Sequence, residues 1–126
     1  MNKDFLDIWS IVHAISGLGF GLLFFVIDLQ ISYALIAGFI LAIGWEIFEY
    51  KNDEGESLKN SLTDIFVAAL LSAGAYLVAE AVNFPVTQES KLWVIILLSV
   101  YSLSVMSYWY KTYHWRPHHG ITRIKK

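Results

Sequence analysis

Four ionisable residues, His13, Glu46, Glu49 and Asp64, interrupt stretches of sequence that are otherwise almost wholly apolar. Charged groups at membrane depth are costly, and they persist where they pair, hold an ion or line a watery cavity. An imidazole with carboxylates suits zinc, manganese or iron, and carboxylates alone suit magnesium or calcium. These four are therefore the candidate metal ligands. Asn60 and Glu56, spaced by fours from Asp64, stand behind them or as alternative ligands. A divalent ion is the one cofactor this set could hold. No catalytic residue is assigned, because no G-x-S-x-G, P-loop or H-E-x-x-H pattern is present.

Each residue also has a plainer reading. Glu46 and Glu49 lie i, i+3 at a helix C-terminal end, where two carboxylates oppose the partial negative charge of the helix and call for a cation, which protonated His13, Lys51 or a divalent metal could supply; they could equally cap an interface and reach into water. His13 could bridge two helices by a hydrogen bond. Asn60 or Ser61 could be an N-cap, and Ser61 to Asp64 has capping-box spacing.

What favours a shared site is the company these residues keep. His13, Gly17 and Gly21 recur every fourth residue, as do Gly38, Ala42 and Glu46, and then Asp64, Ala68 and Ser72. Residues spaced i, i+4 share a helix face, and small residues on that face let membrane helices approach closely. Each stripe predicts a contact face that ends in an ionisable group. Packing the three faces together would bring His13, Glu46 and Asp64 within reach of one another.

The elements that carry the stripes are set by length. Of 126 residues 56% are hydrophobic, in blocks matched to a hydrocarbon core of about 30 Å. Helices are expected over about 8–27, 31–50, 61–82 and 92–110, with Asn83 and Pro85 ending the third. The expected fold is all-α: a polytopic membrane protein, one antiparallel four-helix transmembrane bundle over 1–110. The short turn at 28–30 makes the first two helices antiparallel neighbours. No cysteine is present, which excludes disulfides and thiolate metal sites.

Orientation follows the cations. Lys3, Lys51, Lys59, Lys111, Arg116, Arg123, Lys125 and Lys126 fall on one side and Lys91 alone on the other. The positive-inside rule then places both termini and the middle loop in the cytoplasm, in a multi-pass protein of the cytoplasmic membrane. Trp9, Trp45, Trp93, Trp109 and Trp115 fall near the interfaces, as an aromatic belt would. The segment 111–126 reads as a basic, histidine- and aromatic-rich cytoplasmic tail; His114, His118 and His119 could bind metal, and the tail could equally lie against anionic headgroups. The fourth helix lacks charge and is expected to pack outside the site, its serines bonding neighbours or their own backbone. Membrane lipids are the expected partners, with other membrane subunits or further copies of the chain; nucleic acid is not, since no domain is broadly basic.

The order His13-x-x-x-Gly17, Trp45-Glu46-x-x-Glu49 and Glu56-x-x-x-Asn60-x-x-x-Asp64 resembles small multi-helix membrane proteins of the VanZ-like type, and uncharacterised families with a WE-x-x-E helix end. The resemblance runs from about Asp7 to Ala75. It implies a membrane histidine combined with carboxylates and an Asn/Asp pair. The aspartate–lysine pair usual before the histidine is missing, Asp7 being followed by Ile8, so the glycopeptide resistance associated with that type is not carried over.

Two functions compete. One is a polar, metal-binding site at the cytoplasmic leaflet that acts on lipid or lipid-linked substrates, where a cation would polarise a phosphate or ester or activate water. The other is a non-catalytic accessory or structural subunit of a larger membrane complex, with the polar cluster as glue. A proton or ion pathway fits less well, because the outer halves of the helices are nearly all apolar.

Overall fold

A computed structural model describes residues 8–52 and 58–114. Four α-helices make up the described chain, with no strand among the described residues: α1 (Ile8–Val26), α2 (Ile31–Asn52), α3 (Leu58–Ala81) and α4 (Gln88–His114). The all-α class is as expected, and α2, α3 and α4 are each long and apolar enough to cross a membrane. The apolar part of α1, Ser10–Val26, is shorter. Glu56, the tail from 115 onward and the side chain of His114 lie outside the described residues.

The helix ends have local causes. At the end of α1, Asp28 takes a left-handed φ of 60°. Its N–H donates to Phe25 O at 3.0 Å, and the Leu29 N–H donates to Phe24 O at 2.9 Å. Asn83 repeats this after α3, with φ 50° and Phe84 N–H donating to Ala79 O at 2.8 Å. Both are Schellman-type stops, built on the two non-glycine residue types that best tolerate that conformation.

Four boundaries differ from expectation. Helix α3 starts at Leu58, so Asn60 and Ser61 lie inside its first turn rather than capping it. Helix α4 starts at Gln88 because Thr87 and Ser90 form a reciprocal cap. Ser90 N–H donates to Thr87 Oγ1 at 3.0 Å, and Thr87 N–H to Ser90 Oγ at 2.9 Å. At their other ends α2 and α4 run on to Asn52 and His114, since nothing in Lys51-Asn52 or in 111–114 breaks a helix.

Polarity is inverted relative to a protein folded in water. Ser10, His13, Glu46, Glu49, Asn60, Asp64 and Ser72 are buried, while Ile36, Leu70 and Leu97 are exposed on the outer faces. That arrangement suits a hydrocarbon surround, where apolar burial drives nothing and helix contacts rest on small and polar residues.

The closest pairing is α1 with α3, a pairing that the short α1–α2 turn did not announce; α2 lies on α3, and α4 approaches α1. Gly17 and Gly21 explain the first. A Cβ on Gly17 would collide with the Ala68 carbonyl oxygen, and one on Gly21 with that of Ser72. Only glycine lets the two backbones touch. Gly38 completes the seam from α2, where a Cβ would stand 3.2 Å from Ser72 Oγ. Helix α4 leans on α1 through Tyr101, whose hydroxyl donates to Val12 O at 2.9 Å and lies 3.2 Å from Ser16 Oγ. Ser99 and Ser104 spend their hydroxyls on their own helix, at Ile95 O and Val100 O.

At the turn end, away from His13, the bundle is tied by aromatics. Tyr76 donates its hydroxyl to Leu29 O at 2.9 Å, and Phe25 meets the rings of Tyr76 and Phe84 edge-on.

Candidate metal centre

The three stripes meet as their spacing predicts. His13 sits in the second turn of α1, Glu46 and Glu49 in the last turns of α2, and Asp64 in the second turn of α3. The antiparallel order puts all four at one end of the bundle. All are buried: Asp64 is 0% exposed and Glu46 5%.

The imidazole is at the centre. Its Nε2 lies 3.0 Å from Glu46 Oε1 and 3.8 Å from Glu49 Oε2. Its Nδ1 faces Asp64 Oδ2 at 3.7 Å. Asp64 is fixed from two further directions: Ser10 Oγ donates to its Oδ1 at 2.6 Å, and Asn60 Nδ2 to its Oδ2 at 3.3 Å. Asn60 and Asp64, four apart on one helix, thus share a face, and Asp64 serves the interhelical contact to Ser10 rather than a capping box with Ser61.

The donor set and its spacing fit a metal ion. One ligand atom from each of His13, Glu46 and Asp64 falls within 4.8 Å of the others. At metal–ligand lengths of about 2.1 Å, tetrahedral ligand atoms stand about 3.4 Å apart. The separations of 3.0 and 3.8 Å around Nε2 bracket that value. The Nε2 edge of the ring is nearest Glu46 and Glu49, and the Nδ1 edge is nearest Asp64. The Nε2 side has two carboxylates. Asp64 already accepts from Ser10 and Asn60, which suits a carboxylate that orients the imidazole from behind.

Glu46 is the least satisfied member. Its Oε2 is buried with no hydrogen-bond partner among the described residues, and His13 is its one ion-pair contact there. A buried carboxylate oxygen left unpaired costs at least about 1–3 kcal/mol. Three carboxylates also face a single imidazole, so the four side chains carry net negative formal charge even with that ring protonated. Glu46 and Glu49 stand at the negative end of the α2 dipole, which adds to the demand for a cation.

Ser10 was not among the residues singled out from sequence. Its signal was its place three residues before His13, on the same face of α1. Trp109, expected in an interfacial belt, is buried instead, its ring 5.2 Å from that of Phe48, which in turn lies 5.7 Å from Trp45.

An apolar groove of about 600 Å³ runs to this centre between α2 and α4, with His13, Gly17 and Ala68 on its floor. Comparison with protein-family models, curated proteins and solved structures gives no match.

Proposed function

We propose that the chain is a membrane protein that holds a divalent metal ion at the buried His13 end of its bundle and acts there on the polar group of a lipid or lipid-linked substrate. His13 Nε2, Glu46 and Glu49 are the ligands, and Asp64, held by Ser10 and Asn60, keeps the imidazole turned toward them. A set of three protein ligands leaves a coordination position open, as catalytic sites do. An ion so placed polarises a phosphate or ester oxygen, or lowers the pKa of a bound water. Lys51, Lys59 and Lys111 lie at this same end of the helices, which supports the cytoplasmic orientation.

The observation that carries this reading is the Glu46 carboxylate, buried on the groove-side helix with an oxygen that no described hydrogen bond satisfies. Metal analysis of detergent-purified protein tests it. Near-stoichiometric zinc, manganese, iron or magnesium is expected. Glu46→Gln should lose the metal while keeping its helical circular dichroism. Asp64→Asn should keep it at about 10–100-fold weaker affinity. Protein free of metal that co-purifies with other membrane subunits would refute the metal reading in favour of an accessory subunit.

A further inference from the structure

Apart from His13, the residues that line the groove between α2 and α4 do not hold the ion. Its walls are Leu41, Gly44 and Phe48 on one side and Ser102, Val105 and Met106 on the other. Both walls belong to helices long and apolar enough to cross a membrane, so its mouth opens onto hydrocarbon. From Gly38 to Phe48 it runs about 15 Å along α2 by helical rise, half of a hydrocarbon thickness of about 30 Å. It is thus one leaflet deep. At its inner end Phe20 stacks on Phe24 with centroids 6.1 Å apart, and Phe24 comes within 3.7 Å of where a Gly38 Cβ would stand. At its other end it reaches His13.

A second observation says what the occupant carries. Trp45 lines the groove next in sequence to Glu46, and its indole N–H is buried with no acceptor among the described residues. Buried Trp N–H groups normally find a partner. Hydrocarbon cannot supply one, but the ester oxygen of a lipid can.

We propose that this groove binds one acyl chain of an ester-linked membrane lipid taken sideways from the surrounding leaflet, with an ester oxygen accepting from Trp45 Nε1–H and the headgroup brought to His13 and Glu46. The proposal deepens the metal reading and rests on it for the headgroup alone. The groove excludes water from the chain and leaves the polar end at the centre. Size fits as well, since small-molecule sites typically enclose about 300–1,000 Å³.

The test uses the full chain in vesicles of phosphatidylcholine and phosphatidylglycerol with a trace of phosphatidylcholine bearing a diazirine on one chain. After photolysis, adducts should concentrate on Leu41, Val105 and Met106 over Ile36 and Leu97, which are exposed on the outer faces of the same helices. Gly44→Leu projects into space that is empty within 4 Å of its Cβ, and Val105→Phe narrows the opposite wall. Each displaces at least two methylenes of the chain and should cut groove adducts about tenfold, leaving those at Ile36 and Leu97 unchanged. Trp45→Phe should weaken labelling by the ester lipid and leave labelling by its ether analogue as it was. Equal labelling of groove and outer faces overturns the proposal, as does labelling of the outer faces with none in the groove. Metal content of the same samples separates the two readings. Metal retained with no groove labelling sinks the chain site, and groove labelling without metal upholds it while sinking the ion.

Discussion

Replacing single glycines by alanine separates backbone contact from helix propensity. In a helix interior the exchange gains roughly 0.5–1 kcal/mol wherever a methyl has room. Gly44 and Gly74 have it, with nothing within 4 Å of a Cβ. At Gly17 the new Cβ would stand 3.0 Å from the carbonyl carbon and Cα of Ala68, closer still to its oxygen, and at Gly21 it would stand 2.8 Å from Ser72 C. The obstacle in both cases is backbone, which cannot rotate aside, so α1 and α3 must part. Overpacking of this kind costs about 1–3 kcal/mol. Since the propensity gain is common to all four positions, the difference between Gly17→Ala and Gly44→Ala isolates that cost. Reversible unfolding in mixed micelles titrated with dodecyl sulfate measures it. Gly44→Ala and Gly74→Ala should be as stable as the parent or more so, while Gly17→Ala and Gly21→Ala should fall below it. Gly17 is also one turn from His13, so parting the helices there widens the gap to Asp64 and should weaken metal binding, with Gly44→Ala as the unaffected control. A Gly17→Ala protein as stable as Gly44→Ala would refute the close α1–α3 seam and the site built upon it.

Two further variants probe the supports of the bundle. Thr87→Ala removes the cap of α4 and should lower stability by about 1 kcal/mol in the same titration, without changing metal content. Tyr101→Phe withdraws the hydrogen bond to Val12 O and should cost about 0.5–1.5 kcal/mol; because this bond sets α4 against α1, faster amide exchange in α4 than in α3 is the accompanying signature.

The centre was more legible in the sequence than the path of the chain around it. His13, Glu46 and Asp64 each end a run of small residues at helical spacing, and that periodicity survives in a bilayer because close approach is what holds membrane helices together. Ser10 was not legible, since a lone serine near a helix start has many uses and nothing local marks this one as the donor to Asp64. Which helix α1 prefers was also hidden: the short turn after it argued for α2, but Gly17 and Gly21 match the α3 backbone. The start of α4 was missed for a different reason. Hydropathy locates the apolar core of a span and says little about polar first turns, whereas Thr87-x-x-Ser90 states the cap in side-chain chemistry.

The anchoring of the turn end by Tyr76, Phe25 and Phe84 has a mechanical consequence. With Leu29 tied to α3, the hinge of any scissor-like motion of α2 is fixed at the membrane face opposite the imidazole. Small angular changes there become large displacements at Glu46 and Glu49, near the other end of α2. Capture of an ion or a headgroup by those two carboxylates would then act as a latch, holding the Glu46 end of α2 against α1 and α3.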